Sequence, residues 1–377
     1  MRIAFLSPEY PTEHRDAGGL ATYVQRMARA LLGSGHETEV FVASVHRSGT
    51  LADGDVTVHR TNWTEQVRLP PCNRAIPWLM QASALSSTLE RRHAAAPFDL
   101  VQSADLNATG LFVRRRPGRP HVVRCSSAAD LYNAIDHRRS LVEPFRAMLE
   151  RRAIRQADVA YAPSRYIADH FARMHGIDLR VIRPPAYPEA PAGPDDAGLA
   201  LPERFLLHFG QLIARKGTEV LARALPLAWA EAPELTMVWT GSHASLDDWR
   251  RWRGLWGAQS GWVLATGPLP RARLHAVLRR AEASVLPSLV DNLPNTVIES
   301  LMCGVPVVGS RGASIDELVE DGVTGQLVEL GDARDLAAAL VRVWRGQTPV
   351  RRGFAWRPPA DMTPEQAVSN VLALAHA

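Results

Sequence analysis

Cysteine and lysine are the two scarce residues of this chain. Cys72, Cys125 and Cys303 are its three cysteines, far apart in 377 residues and with no CxxC pair. That excludes a disulfide framework, fits a reducing cytoplasm and leads us to expect no metal centre. Of 43 basic residues only Lys216 is lysine. A chain that otherwise chooses arginine points there to a position needing a compact ammonium rather than a planar fork, with chance as the alternative. Long apolar runs are also missing. No window reaches the 18 residues of a membrane-spanning helix, and the opening MRIAFLS reads as a strand rather than a secretory leader. A cytoplasmic location is expected.

What remains is an ordinary globular composition, 46% hydrophobic and 22% charged, in a chain long enough for two domains. The charge is uneven: residues 1–185 carry 25 basic against 18 acidic side chains, and residues 186–377 carry 18 against 21. Arg114-Arg115-Arg116, Arg138-Arg139 and Arg151-Arg152 lie in the basic half. Such runs read either as solvated helix faces or as attraction to anionic lipid headgroups, that is, peripheral contact with the inner face of a membrane. They lack interleaved aromatics and any nucleic-acid-binding motif, so no nucleic acid partner is expected.

One stretch organises the chain: Leu286 to Gly309, LPSLVDNLPNTVIESLMCGVPVVG. An apolar strand (Ala283 to Leu286) meets a turn-rich loop, then a helix opened by Pro294, where a missing N–H does no harm, and a second strand (Pro306 to Val308). Strand, loop, helix, strand is half of a doubly wound α/β unit, whose ligands sit beyond the carboxyl ends of the strands. The loop Ser288 to Leu293 is therefore the expected site. Amides of Asn292 and Leu293 aimed outward at a helix N-terminus would favour phosphate or polyhydroxyl oxygens. Glu299, within an otherwise apolar helix, needs donors if it is buried, and the two hydroxyls of a ribose would supply them. Asp291, eight residues earlier, can accept from sugar hydroxyls. The plainer alternative makes Asp291 and Asn292 turn residues and Glu299 a surface acid.

Elsewhere the pattern repeats. Strands are predicted at 2–7, 39–43, 100–102, 122–124, 159–162 and 181–182, alternating with helices over residues 20–31, 78–93, 142–156 and 164–175, the last capped by Ser164. Alternation of this kind predicts a parallel sheet covered on both faces. Gly18 and Gly19 form a turn that would let a ligand approach the backbone closely, or simply a tight turn. Asp53-Gly54-Asp55 has the form of a metal-binding DxD but stands between short strands, where Asp-Gly signals a hairpin. A proline-rich tract over residues 188–198 marks a linker. A second set of strands follows at 205–209, 236–240 and 263–266. The loop Gly210-Gln211-Leu212-Ile213-Ala214-Arg215-Lys216-Gly217 enters a helix, and helices are expected at 332–345 and 363–374. Trp249, Trp252, Trp256 and Trp262 read as packing rather than a sugar platform.

PSLVDNLPNTVIESLMCGVPVV resembles the donor-site signature of retaining glycosyltransferases of family 4, with an acid-x7-acid spacing in which Asp291 stands where many relatives have Glu, as in a DNLPNT-type subgroup. The resemblance extends over nearly the whole chain and implies the GT-B arrangement, two Rossmann-like doubly wound α/β domains facing each other across a cleft. The domains are expected at 1–185 and 201–358, with a linker at 186–200 and a C-terminal helix (359–377) crossing back to the first domain. It implies a nucleotide-diphosphate-sugar donor and a hydroxyl acceptor such as a saccharide or lipid-linked saccharide, with neither cofactor nor metal. By resemblance, Lys216 sits on the diphosphate, helped by Arg215, since Gln211 replaces the usual Arg. Gly18 and Gly19 lie beside the donor phosphates and acceptor, and Gly210 opens the phosphate loop. The loop holding Leu269 carries the base, Asp291 holds sugar hydroxyls and Glu299 the ribose, with Asn292, Leu293 and Pro294 lining the donor. Relatives usually carry His where this chain has Ser126. Either the donor lacks the group that His contacts, as a deoxy sugar would, or His14, Asp105 or Arg124 substitutes. The expected activity is retaining sugar transfer in polysaccharide, glycolipid or glycosylated-metabolite biosynthesis; the rival is a non-catalytic nucleotide-sugar-binding subunit of the same fold.

Overall fold

The computed structural model describes residues 1–13, 18–66, 76–136, 142–187 and 199–376. His14, Cys72, the pair Arg138-Arg139 and the expected linker tract 188–198 lie outside them. The chain divides into two compact units, Met1–Tyr187 with Pro359–Ala377, and Pro188–Pro358.

The first unit is built on eight strands: β1 (Arg2–Ser7), β2 (Glu37–Ala43), β3 (Gly49–Asp53), β4 (Val56–Thr61), β5 (Leu100–Ala104), β6 (His121–Arg124), β7 (Val159–Ala162) and β8 (Arg180–Val181). Their order is β3-β4-β2-β1-β5-β6-β7-β8, parallel except for the β3–β4 hairpin. β1, β5 and β6 are buried along nearly their whole length, as strands covered on both faces must be. The helix Gly19–Gly33 buries Val24, Met27, Ala28 and Leu31 at helical spacing. Ala367, Val368 and Val371 of the helix Pro364–Ala373 join the same core. Ser164 caps the helix Arg165–His175 by accepting from the Ile167 amide at 3.3 Å. Gly54 and Asp55 form the β3–β4 turn, and the Asp53 carboxylate is taken by the Tyr10 hydroxyl (2.8 Å), the Gln25 amide (2.7 Å) and Arg29.

The second unit is a fully parallel six-stranded sheet of β9 (Leu206–Gln211), β10 (Met237–Ser242), β11 (Val263–Ala265), β12 (Ser284–Leu286), β13 (Val307–Ser310) and β14 (Gly325–Val328). The order β11-β10-β9-β12-β13-β14 reverses between β9 and β12, so the loops following those two strands leave the same edge on either side of a switch point. Trp252 and Trp256 pack edge-on against Trp239 of β10, with ring centroids 5.2 and 5.3 Å apart, and Trp249 tilts against it at 5.7 Å. Trp252 and Trp256 are buried in the core and half-buried Trp249 packs against it, as their helical spacing predicts. Trp262 is not core: its side chain stays 43% exposed, beyond the helix Leu246–Trp256 whose face the others share.

Each unit buries a neutral imidazole in its sheet. His121 shares a 2.8 Å hydrogen bond with the Ser103 hydroxyl. His208 donates to the Val285 carbonyl (2.7 Å) and its other nitrogen accepts from the Thr218 hydroxyl (3.1 Å), tying β9 to β12 and to the start of the helix Thr218–Glu231. Burial pushes both rings down from 6.5 to about 4. A depressed histidine binds its proton in the unfolded chain first, so the stability it supports is complete above pH 6.5 and is lost as pH falls toward 4, on the order of 3 kcal/mol for a fully buried ring. Urea midpoints measured between pH 7 and pH 4 should fall over that window, and His208→Gln should flatten the slope.

Candidate functional site

The switch point of the second unit assembles two loops distant in sequence. Near the end of β9 the chain bends at Gly210, whose φ of 111° favours glycine, and beyond the strand it runs through a short 3-10 turn, Ala214–Lys216, to Gly217 at φ 73°. A β-carbon on Gly217 would lie 1.8 Å from the Pro287 carbonyl oxygen, so only glycine lets this loop pass the one that follows β12. The Arg215 carbonyl accepts from the amides of Leu289 (2.8 Å) and Val290 (3.3 Å), which fixes the two loops in register.

That docking brings the lone lysine to the predicted carboxylate. Lys216 Nζ donates to Asp291 Oδ2 at 2.6 Å, across 75 positions of sequence. The Ser288 hydroxyl donates to the same oxygen at 3.0 Å, and the Asn292 amide to Oδ1 at 3.0 Å. Asp291 is buried, whereas the lysine side chain keeps a quarter of its surface exposed. A partly exposed ammonium held by a buried carboxylate has direction and remains reachable by an anionic ligand. Arg215 beside it is steered by its own loop, donating to Gln211 Oε1 at 3.2 Å.

The loop amides depart from expectation. The Asn292 N–H is turned onto Asp291, and the Leu293 N–H donates to Ser314 Oγ at 2.7 Å instead of pointing outward. The helix runs Asn295–Met302, one residue later than expected, with Pro294 as its N-cap. Leu293, Ala313 and Ser314 all adopt left-handed backbone (φ 49°, 53° and 59°). Conformations that non-glycine residues avoid gather where the loop after β13 meets the site loop, a concentration typical of functional sites.

Glu299 is buried, which removes the alternative of a surface acid. Its donor comes from the protein: Arg271 donates to Oε1 at 2.9 Å, and His275 Nε2 lies 3.9 Å from Oε2. Arg271 opens the helix Arg271–Arg280 directly after the loop Gly267–Pro270, so half-buried Leu269 stands two residues before the partner of Glu299. A carboxylate has about four acceptor positions, so accepting from one guanidinium does not exhaust it. Of these partners only Arg271 was missed by sequence reasoning, since it comes from another loop and carried no signal. Ser288 opens the loop expected to hold the site, and Ser314 lies in the segment 309–315 that follows the next strand, which was expected to close the site near the sugar.

In the first unit the strand order reverses between β1 and β5. Asp105, just past β5, is fully buried and accepts from the amides of Leu106 (2.9 Å), Ser126 (3.0 Å) and Ser127 (3.0 Å), which orients Ser126. Burial outweighs these donors and pushes its carboxyl up to about 6. Arg124, one of the residues considered as a substitute for the missing histidine, is buried with its guanidinium 3.9 Å over the Tyr23 ring. The Gly18-Gly19 turn opens the helix Gly19–Gly33, but the Ala21 amide there donates to Glu9 Oε1 at 3.3 Å. A β-carbon on Gly18 would come within 3.1 Å of that oxygen, so this glycine makes room for an internal carboxylate.

Two α/β units built on parallel sheets are what the comparisons match. Residues 17–189 match the family described as "Glycosyltransferase Family 4" and residues 203–345 that described as "Glycosyl transferases group 1". The chain belongs to the glycosyltransferases of family 4 and has the GT-B fold. Among its relatives is the D-inositol 3-phosphate glycosyltransferase of Arthrobacter sp. (strain FB24), 27% identical over 97% of this chain and 94% of that protein. Another is the GDP-mannose-dependent alpha-(1-6)-phosphatidylinositol monomannoside mannosyltransferase of Mycolicibacterium smegmatis, 29% identical over 50% of this chain and 54% of that one. In fold it is similar to the sucrose-phosphate synthase of Thermosynechococcus elongatus (TM-score 0.73, 21% identity, 100% and 96% of the two chains). Anabaena HepE, solved with UDP and glucose, is also similar (TM-score 0.67, 18% identity, 100% and 97%).

Gly217→Ala should lower stability by at least about 2 kcal/mol, since it adds left-handed strain to a backbone clash. Chemical denaturation checks this, and Gly33→Ala, where a β-carbon meets nothing within 4 Å, is the control.

Proposed function

We propose that this glycosyltransferase is a retaining enzyme of the DNLPNT-type subgroup that moves a sugar from a nucleotide-diphosphate donor to a hydroxyl acceptor in polysaccharide, glycolipid or glycosylated-metabolite biosynthesis. The observation that carries the reading is the Lys216–Asp291 pair, 2.6 Å long, at the carboxyl edge of a parallel sheet and flanked by Arg215. Cleaving a glycosyl–phosphate bond leaves charge on the departing diphosphate, and preorganised cations there act as the main catalytic contribution. Lys216 and Arg215 serve as those cations. Without a ligand, Asp291 holds Lys216 in place; with a donor bound, the ammonium turns to phosphate and the carboxylate accepts from sugar hydroxyls. The departing phosphate oxygen takes the acceptor proton on the face it leaves, which preserves the anomeric configuration. No protein nucleophile, cofactor or metal enters this account.

Glu299 accepts the ribose hydroxyls beside Arg271, and the loop bearing Leu269 takes the base through its backbone. Gly210, Gln211, Asn292, Leu293 and Pro294 shape the donor surface, with the Asn292 and Leu293 amides engaged within the protein. Roles for Gly18, Gly19 and Ser126 rest on the family resemblance. The relatives add a phosphorylated cyclitol to the candidate acceptors, beside saccharides and lipid-linked saccharides. We place the enzyme in the cytoplasm, with peripheral membrane contact through its basic N-terminal half; among the described residues no helix is long and apolar enough to cross a membrane.

Calorimetric titration with nucleoside diphosphates and their sugars identifies the donor. Glu299→Ala should weaken its binding by roughly tenfold or more, the cost of losing charged hydrogen bonds to a diol. Lys216→Ala should leave donor binding measurable and reduce transfer by about 100-fold or more. Transfer that survives either substitution unchanged overturns the assignment, and donor binding without turnover on any acceptor favours the non-catalytic subunit.

A further inference from the structure

The first unit carries a second constellation, made of residues that the proposed transfer chemistry does not use. Asp130 stands in the first turn of the helix Ala129–Asp136, and His170 and His175 lie on the helix Arg165–His175. Both imidazole Nε2 atoms converge on one carboxylate oxygen, Asp130 Oδ2, at 3.1 and 3.0 Å, and the three ligand atoms lie within 4.8 Å of one another. A tetrahedral zinc ion with bonds of about 2.0–2.1 Å holds its ligand atoms about 3.3 Å apart, so each imidazole needs to part from the Asp130 oxygen by only a few tenths of an ångström.

We propose that Asp130, His170 and His175 form a binding site for a divalent cation of the zinc class. Two imidazoles and a carboxylate are the donor set that selects zinc-like ions over magnesium or calcium, whose sites are built from oxygen. Phe171 packs edge-on against both rings, at 6.2 and 5.6 Å between centroids, and being buried in the core it fixes their orientation before any ion arrives. His175 is the last residue of its helix, which ends at left-handed Gly176, so the ion sits where the helix dipole favours positive charge. The Asp130 side chain is about a third exposed, and Asp130 and His175 line a small recess together with Asp105, Glu150 and Arg151. With three protein ligands, water completes the tetrahedron.

The site plays no part in the transfer chemistry proposed above. Its effect is to clamp the helix Ala129–Asp136, which follows Ser126 and Ser127 directly, onto the helix Arg165–His175. Cysteine-based reasoning had no means of finding it, because the ligands are histidine and aspartate brought together by two helices.

The test uses full-length, tag-free protein stripped with a chelator and then titrated with zinc(II) and cobalt(II). The expected result is one ion per chain, a tetrahedral cobalt visible spectrum, and a melting temperature that rises by several degrees with zinc. Asp130→Asn and His170→Gln should each weaken binding by roughly tenfold or more and remove the zinc-dependent rise in melting temperature. The melting temperature without metal reports separately whether a variant is folded. Failure of the parent protein to bind either ion, or binding that both folded variants retain unchanged, overturns the proposal and leaves the two histidines as simple donors to Asp130.

Discussion

The second unit depends on a contact between backbones. The loop after β9 and the loop after β12 touch through Gly217 and the Pro287 carbonyl, and the Arg215 carbonyl locks them with two amide hydrogen bonds. Everything that makes the site chemical follows from that docking. Lys216 reaches Asp291 because Gly217 has no side chain, and Asp291 can be buried because Lys216, Ser288 and the Asn292 amide supply its donors. A buried carboxylate without such partners would cost several kcal/mol, so loop geometry and charge placement are one constraint. His208 supports both loops from beneath, joining β9, β12 and the helix that follows Gly217.

The same economy governs the other acids. Glu299 reads in sequence as a group that needs donors if buried, and it, buried Asp105 and half-buried Glu9 each find at least one within the protein: Arg271, the Ser126 and Ser127 amides, and the Ala21 amide. A site that must exist before its ligand arrives has to satisfy its charged groups internally, and exchange those contacts for ligand contacts on binding. Outward-facing amides at Asn292 and Leu293 would have been unsatisfied in the empty state; instead Asp291 and Ser314 take them. The strained backbone at Leu293, Ala313 and Ser314 is the local cost of that arrangement.

Parallel α/β architecture was legible because burial on both faces demands long apolar strands, and glycine, proline and serine mark where each helix starts or stops. The runs at 2–7, 122–124 and 159–162 and the cap at Ser164 are local statements, and they appear in the structure where they were read. The Asp291 to Glu299 stretch and the single lysine stand out in the sequence too, since residue type and spacing are properties of a short segment, and the fold brings Lys216 onto Asp291. Trp262 and the Pro294 boundary were misread because exposure and cap position depend on what packs nearby.

By itself the sequence determined element type and the two-unit α/β class, which follow from local propensity and periodicity, and it carried the motif through which the chain resembles its family. The tertiary structure decided the pairings: Lys216 with Asp291, Arg271 with Glu299, Ser314 with Leu293, and Asp130 with His170 and His175. In each the partners are separated by more than twenty positions, and their meeting is set by strand order and loop packing. No local pattern encodes which distant side chain will satisfy a buried charge, because that choice is made by the shape of the folded chain.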